Sequence, residues 1–340
     1  MEFNYKNNPS QLLELCKEIL RKVCLDSIRG LQGVSKKKYE VENILARHII
    51  AEKTYEKQEQ DDQIIPTFRN SQKMESEMIN IGVKPYDISD VLEKYKNIAQ
   101  KFVDKINTIE SNLIFGKVVV FNNVTKYNEI EMQIEGSDIF PTGTTVKKIK
   151  VQIDKKAFKK LRQNHKGNED DFLYYALRVI TRYNSVGGFG LGWSLDPKSD
   201  LLIVPSNYST LEIFASPINT VFSDKYFSLF YDIDRVFGSL GSFPNITDFV
   251  TENTLIDCNP PYIERILNDA AELMLTILRT KPHIKIIFAC PKWDDLIAYR
   301  KLNQSQYLVK TAQPGVMEDI LIGKSIVERM HNTIVFVLKN

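Results

Sequence analysis

Apolar positions recur at spacings of three and four through the first third of the chain, and at spacings of two or in short unbroken runs over much of the rest. In "PSQLLELCKEILRKVCLDSI" the residues Leu12, Leu13, Cys16, Ile19, Leu20, Val23 and Cys24 share one face of a 3.6-residue period, which predicts a helix. Further helices are predicted from about Lys36 to Lys57 and from about Ile88 to Ile109. Between these two lies "EKQEQDDQIIPTFRN", charged and then proline-containing, which reads as an exposed connection. From Lys117 the period shortens toward two, with "KVVVF", "NEIEMQI" and "TVKKIKVQI" as strands, so a boundary is expected near residue 115.

Beyond the helix expected at "NEDDFLYYALRVITRYNSV" comes "GGFGLGW". Its glycines follow a helix, no strand leads into them, and their spacing is not Gly-x-Gly-x-x-Gly, so a flexible loop is expected rather than a dinucleotide-binding turn. The pattern then alternates, with strands at "DLLIVP", "TLEIFAS", "YFSLF", "TLIDC", "IKIIFAC" and "TIVFVLK", and a clear helix after Tyr262. Alternation of this kind predicts a doubly wound α/β domain. The expected organisation is a helical domain over 1–115, a strand-rich basic segment over 116–166 and an α/β domain over 167–340.

The stretch "TLIDCNPPY" carries the most specific chemistry. It places Asn259, Pro260, Pro261 and Tyr262 between an apolar strand and a helix striped by Ile263, Ile266, Leu267, Ala270, Leu273, Met274, Ile277 and Leu278. Asn is a preferred helix cap and Pro is tolerated in a first helical turn, so punctuation alone would account for the letters. The alternative is catalytic, because in open α/β sheets ligands bind at the carboxyl ends of strands. An exocyclic amine such as N6 of adenine is a poor nucleophile, since its lone pair is delocalised into the ring. Two acceptors on its hydrogens would draw it toward a tetrahedral, attacking geometry. The side-chain carbonyl of Asn259 is one such acceptor. The backbone carbonyl of Pro260, restricted by the following Pro261, is the other. Tyr262 adds a flat face on which a base can stack, worth about 1–3 kcal/mol.

Composition narrows the alternatives. At 340 residues the chain is long enough for two domains and a sizeable core. Cys16, Cys24, Cys258 and Cys290 have no metal-ligand spacing and read as reduced core residues, the four histidines are scattered, and no metal is expected. The amino-terminal "MEFNYKNNPS" has no secretory pattern, and no run approaches a membrane span, so an intracellular protein, nuclear or cytoplasmic, is expected. Net charge is only +2, yet residues 147–166 hold nine Lys/Arg against the single Asp154. Lys147, Lys148, Lys150, Lys155, Lys156, Lys159, Lys160, Arg162 and Lys166 cover a strand end and the helix after it. Such a patch is the footprint of a phosphate-backbone partner, with a solvated lysine face as the plainer alternative.

Over roughly residues 205–340 the chain resembles the phosphorylated CTD-interacting factor family, the cap-specific adenosine N6-methyltransferases. The blocks that carry the resemblance are "FASPIN" at Phe214 to Asn219, "DIDRVFGSLG" at Asp232 to Gly241, "NPPY" at Asn259 to Tyr262, "CPKW" ending at Trp293, and the carboxyl-terminal "HNTIVFVLKN". The resemblance implies a Rossmann-like class I methyltransferase domain, preceded by a mainly helical accessory domain, that uses S-adenosyl-L-methionine. The implied substrate is N6 of the first transcribed adenosine, its ribose 2′-O-methylated, in capped mRNA beginning with adenosine. It also implies that Asn259, Pro260, Pro261 and Tyr262 are the catalytic element. The family commonly has Phe where this chain has Tyr262, a change that preserves stacking.

For the cofactor, the contacts expected from the resemblance are Ser216, Pro217 and Asn219 at a turn that by its letters alone is an ordinary strand end, Asp232 or Asp234 toward ribose hydroxyls or the cofactor ammonium, and Phe237, Gly238, Ser239 and Gly241 with an aromatic face and close backbone approach. Trp293, just past a strand, is a candidate to stack on the cap or adenine. The first 115 residues lack the paired tryptophans of a WW domain, Trp193 and Trp293 being the only two in the chain, so recruitment by a phosphorylated polymerase tail is not expected. Two alternatives stand beside cap-adjacent methylation. One moves the same chemistry to internal RNA or DNA adenines; the other is an inactive nucleic-acid-binding member of the fold.

Overall fold

The structure, a computed structural model, describes residues 2–4, 9–29, 38–55, 65, 68, 71–109, 113–121, 127–136, 146–186, 193–195, 199–220, 222–313, 316–319, 328–329 and 332–340. By internal packing the chain divides into two units, 1–52 with 61–162 and 167–189, and 53–60 with 163–166 and 190–340.

The first unit combines helices with an antiparallel sheet. Its helices are α1 (Pro9–Arg29), α2 (Lys38–Thr54), α3 (Gln72–Asn80), α4 (Pro85–Thr108), α5 (Lys155–Asn164) and α6 (Phe172–Val186), with the end of α2 and of α5 falling in the other unit. The sheet runs β1 (Glu2–Asn4), β2 (Leu113–Phe121), β3 (Tyr127–Gly136) and β4 (Val146–Asp154) in that order, all neighbours antiparallel. Period-two alternation puts Val118, Val120, Ile130, Met132, Ile134, Val151 and Ile153 in the core. At Gly116 α1 comes close to the sheet, since a Cβ there would lie 2.2 Å from Leu12 Cδ1 and would force that buried side chain to shift.

Between α1 and α6 this core encloses a fully buried carboxylate, Glu18. Arg182, itself 1 % exposed, grips it through both Nε, at 3.1 Å, and Nη2. Arg21 Nη1 donates at 3.0 Å and Arg178 Nη2 lies at 3.5 Å. Burial alone would raise the Glu18 pKa, but the surrounding guanidiniums, Arg182 foremost, hold it below the usual carboxylate value. Within the stretch expected to be an exposed connection, the two described residues depart from expectation. Ile65 and Phe68 are buried, and the Phe68 ring lies against His48 and Tyr95 at 5.9 and 5.7 Å.

The second unit is built on a six-stranded mixed sheet in the order β10 (Leu308–Ala312), β13 (Thr333–Lys339), β9 (Ile284–Pro291), β8 (Thr254–Cys258), β6 (Ser209–Ala215), β7 (Tyr226–Ser228). From β9 to β7 the neighbours are parallel, while β13 is antiparallel to both β9 and β10. An antiparallel edge on an otherwise parallel sheet is common in doubly wound folds, and the architecture is compatible with a Rossmann-like fold. A second small sheet joins β5 (Trp193–Leu195) to β11 (Val316–Asp319) and β12 (Glu328–Arg329).

Helix α8 (Glu264–Thr280) packs Ile266, Leu267, Ala270, Ala271, Met274, Ile277 and Leu278 on one face of the sheet, with α9 (Ile297–Asn303) beside it. On the other face Leu202, Leu255, Ile287, Val335 and Val337 form a smaller core. Apolar cover on both faces explains why β8 and β9 read as unbroken apolar runs rather than alternating ones. Residues 200–205 are not the strand their apolar letters predict. Asp200–Leu202 form a single 3-10 turn capped by Ser199 Oγ, after which Ile203 is 64 % exposed, because no neighbouring strand pairs with them and Pro205 follows. The glycines of "GGFGLGW" lie outside the described residues.

Candidate active site

Because β6, β7, β8 and β9 are parallel, their carboxyl ends share one rim of the sheet, and the amino end of antiparallel β13 arrives there too. At that rim stand Ser216, Asn259, Pro291 and Thr333, the chemistry-bearing ends of four strands.

The Asn259–Tyr262 segment is not a helix cap. Helix α8 begins at Glu264 with Ile263 as its cap residue, and no side chain caps it, so Asn259 lies outside the helical turn altogether. The prolines force a separate tight turn, closed by the Ile263 amide donating to the Pro261 carbonyl at 2.7 Å, before Leu267 N returns to Ile263 O at 2.9 Å. Asn259 and Tyr262 are half-buried and Pro260 is buried. The Tyr262 hydroxyl is 2.8 Å from Thr333 Oγ1, and its ring meets Trp293 edge-on, centroids 6.3 Å apart at 79°. Burial pushes the Tyr262 phenol up to about 12, so it stays neutral at physiological pH. Trp293 is 40 % exposed, held at the end of β9 by its amide donating to Pro291 O at 3.0 Å.

The turn after β6 is closed on itself. Asn219 Oδ1 accepts from both the amide and the hydroxyl of Ser216 at 2.7 Å, and Ser216 Oγ accepts from Asn219 N at 3.2 Å. Ser216, Pro217 and Asn219 are all buried. Just before it, Phe214 adopts a left-handed backbone, φ 64°, where the β6–β7 register slips. A bulky residue in that region is strained, and such strain concentrates at ligand-binding turns.

The next segment, α7 (Tyr231–Asp234) and the 3-10 turn after it, follows β7. Asp232 is half-buried, Asp234 fully buried, and Phe237 lies beneath the surface with its ring 5.5 Å from that of His165. Lys166 N donates to Val236 O at 2.7 Å and so ties residues 163–166 to this segment. Gly238, at φ 96°, would set a Cβ 3.7 Å from Lys166 Cε and against nothing else. That opening, the half-buried Asp232 carboxylate and the strained turn at Phe214 suit a nucleoside-bearing cofactor laid along the strand ends. Ser239 Oγ is shared with Ser228 Oγ at 2.7 Å and holds the segment to β7.

Over this part of the chain a family comparison is informative. Residues 155–319 match the family described as Phosphorylated CTD interacting factor 1 WW domain. The chain is thus similar to that family from α5 to β11, a stretch containing Ser216, Asp232, Asn259, Tyr262 and Trp293. The description carries the words WW domain; the described elements across the match are α5, α6, the strands of the six-stranded sheet up to β10 and their helices, with Trp193 on β5 and Trp293 after β9. No curated protein matches the chain.

Two acidic residues near the site were hidden in apolar runs. Glu212 and Asp257 are register partners on β6 and β8, and each is almost completely buried. Glu212 Oε2 accepts from Thr220 Oγ1 at 2.8 Å and from the amides of Phe222 and Ser223 at 3.1 and 3.4 Å, anchoring the chain that leaves the Ser216 turn. Asp257 Oδ1 has no hydrogen-bond partner, and burial together with the Glu212 charge raises the Asp257 pKa far above its ordinary value. The folded state therefore keeps a proton that the unfolded chain has already lost, and stability falls as pH rises from the ordinary carboxylate range toward the folded pKa. Asp257→Asn should flatten that fall, with a melting-temperature advantage over the parent that grows between pH 5 and pH 8. Parallel melting curves across that range would show an ionised Asp257.

Of the basic residues in the expected patch, those on β4 and α5 belong to the first unit and Lys166 to the second. Lys148 and Lys150 are exposed on β4, while on α5 Ala157, Phe158 and Leu161 are buried and Lys156, Lys159 and Arg162 are exposed, with Lys155 and Lys160 half-exposed. Two of the charges already face carboxylates, Lys150 with Glu131 at 3.6 Å and Arg162 with Glu169. The side chain of Lys147 lies outside the described residues. No group of three His, Cys, Asp or Glu that could hold a metal occurs among the described residues, and no described helix is long and apolar enough to cross a membrane.

Proposed function

We propose that the protein is an S-adenosyl-L-methionine-dependent methyltransferase acting on N6 of the adenosine next to the cap of capped mRNA. The observation that carries this reading is the Asn259–Tyr262 turn. It stands at a parallel-strand mouth, apart from the helix it precedes, inside the stretch similar to the phosphorylated CTD-interacting factor family. Bound S-adenosyl-L-methionine would supply an electrophilic methyl group. The chain's own part is to hold the amine. Asn259 Oδ1 and the Pro260 carbonyl accept its two hydrogens and turn its lone pair outward, and no base is needed before the bond forms, because the proton leaves the nitrogen once it has become cationic. The half-buried Tyr262 ring supplies the stacking face, and Trp293 closes an aromatic corner beside it.

Ser216, Pro217, Asn219, Asp232, Asp234, Phe237, Gly238 and Ser239 shape the proposed cofactor side, chiefly by fixing the backbone of the two turns that would meet it. The lysines of β4 and α5 would hold RNA phosphates without reading sequence. A cap-adjacent first nucleotide is unstacked on one side, so no base need be extruded from a duplex at a cost of a few kcal/mol. The test is a panel of short RNAs of equal length incubated with the cofactor. Capped, adenosine-initiated RNA should be methylated, best with a 2′-O-methylated first ribose, and uncapped or guanosine-initiated RNA should be poor. Equal methylation of capped and uncapped RNA, or of internal RNA or DNA adenines alone, would move the substrate to the internal adenine.

A further inference from the structure

Tyr262 and Thr333 are 71 residues apart in sequence, yet their hydroxyls are 2.8 Å apart. Thr333 opens β13, is 3 % exposed, and is the register partner of Pro291, the last residue of β9. The chain around it is fixed from the other side by Lys292 N donating to Asn332 O at 2.7 Å. The Tyr262 ring is thus held at three places: its body against the apolar core beneath α8, its side by the near-perpendicular ring of Trp293, and its tip by Thr333. A bond at the tip fixes the direction of the ring from the backbone, and the edge contact fixes its plane.

We propose that Thr333 is a positioning residue that, through the Tyr262 hydroxyl, sets the direction in which the ring on which adenine stacks leaves the backbone, and hence the distance from the adenine amine to Asn259. This rests on the methyltransferase reading above. Adenine would still find an aromatic surface without the bond, but a tilted one, and a displacement of about 1 Å at the reacting atom costs on the order of 100-fold in rate. The bond should therefore act on turnover more than on affinity.

The experiment compares Thr333→Val, which keeps the shape and removes the hydroxyl, with Thr333→Ser, which restores it, and with Tyr262→Phe and the Tyr262→Phe/Thr333→Val double variant. All are first checked for parental melting and cofactor binding. On capped adenosine-initiated RNA, Thr333→Val should lower kcat about 10-fold or more with KM within about twofold. Thr333→Ser should recover most of the rate, and Thr333→Val should cost nothing further once Tyr262 is Phe. Parental kcat in folded Thr333→Val, or additive losses in the double variant, would overturn the proposal. Should the parent protein bind this RNA but transfer no methyl group, the methyltransferase reading fails by itself. The pin is then read from the ring itself, where a faster Tyr262 ring flip by NMR in Thr333→Val that Thr333→Ser restores sustains it and an unchanged flip rate in both overturns it.

Discussion

Asn259→Ala should lose methyl transfer by about 100- to 1,000-fold while the protein stays folded and still binds S-adenosyl-L-methionine, the size of loss seen when one preorganised polar contact to developing charge is removed. The side chain caps no helix, since α8 starts at Glu264, so its removal takes away no helical hydrogen bond. The Pro260–Pro261 turn and its Ile263 N to Pro261 O bond are backbone features that Ala at 259 leaves in place. Melting and cofactor binding of the variant, measured beside its turnover, separate chemistry from architecture. Rate measurements at saturating cofactor and RNA, with calorimetric binding of the cofactor beside them, give both halves, and near-parental turnover would remove Asn259 from the chemistry.

Glu18→Gln should be the most damaging single change to the fold. Arg182, Arg21 and Arg178 surround the carboxylate, and Arg182 has almost no solvent to fall back on. Removing one partner of a buried ion pair leaves the others uncompensated, at a cost of about 3–5 kcal/mol. At 2–4 °C per kcal/mol, that is a fall of roughly 10 °C in the melting temperature of the first unit. The pH dependence carries the opposite sign to that of Asp257. The Glu18 pKa is lowered in the folded state, so its contribution is present above the ordinary Glu value and is lost as pH falls through the folded one. Glu18→Gln should lose that acid-side transition as well as overall stability, which melts between pH 3 and pH 7 would show. An unchanged melting curve would mean the arginines find other partners.

The parts of the fold that sequence made legible are those where a single segment carries its own signal. Helix α8 follows from an apolar stripe of period 3.6 and β8 from a five-residue buried run, so their junction could be placed before any contact was known. The run at 200–205 has the same letters but no strand to pair with, and pairing is a property of the whole sheet. Asp257 shows the reverse difficulty. One acid inside "TLIDC" was submerged in the apolar run, and only its register opposite Glu212 reveals a buried pair. Asn259 could be read either as cap or as acceptor until the start of α8 was located. Thr333 was invisible because its partner lies across the sheet. In the basic patch, Lys150 opposite Glu131 depends on the β3–β4 register, which spacing along one strand cannot supply.

Methylation at the exocyclic nitrogen is measured most directly with S-adenosyl-L-methionine carrying a deuterated methyl group, capped adenosine-initiated RNA, and mass spectrometry of the nuclease digest, with fragmentation to locate the label. An amine held by Asn259 and Pro260 and stacked on Tyr262 predicts labelled N6-methyladenosine at the first nucleotide, formed about 100- to 1,000-fold more slowly with Asn259→Ala. Label on a ribose oxygen or a ring nitrogen, or no label from a folded protein that binds both cofactor and RNA, would contradict it.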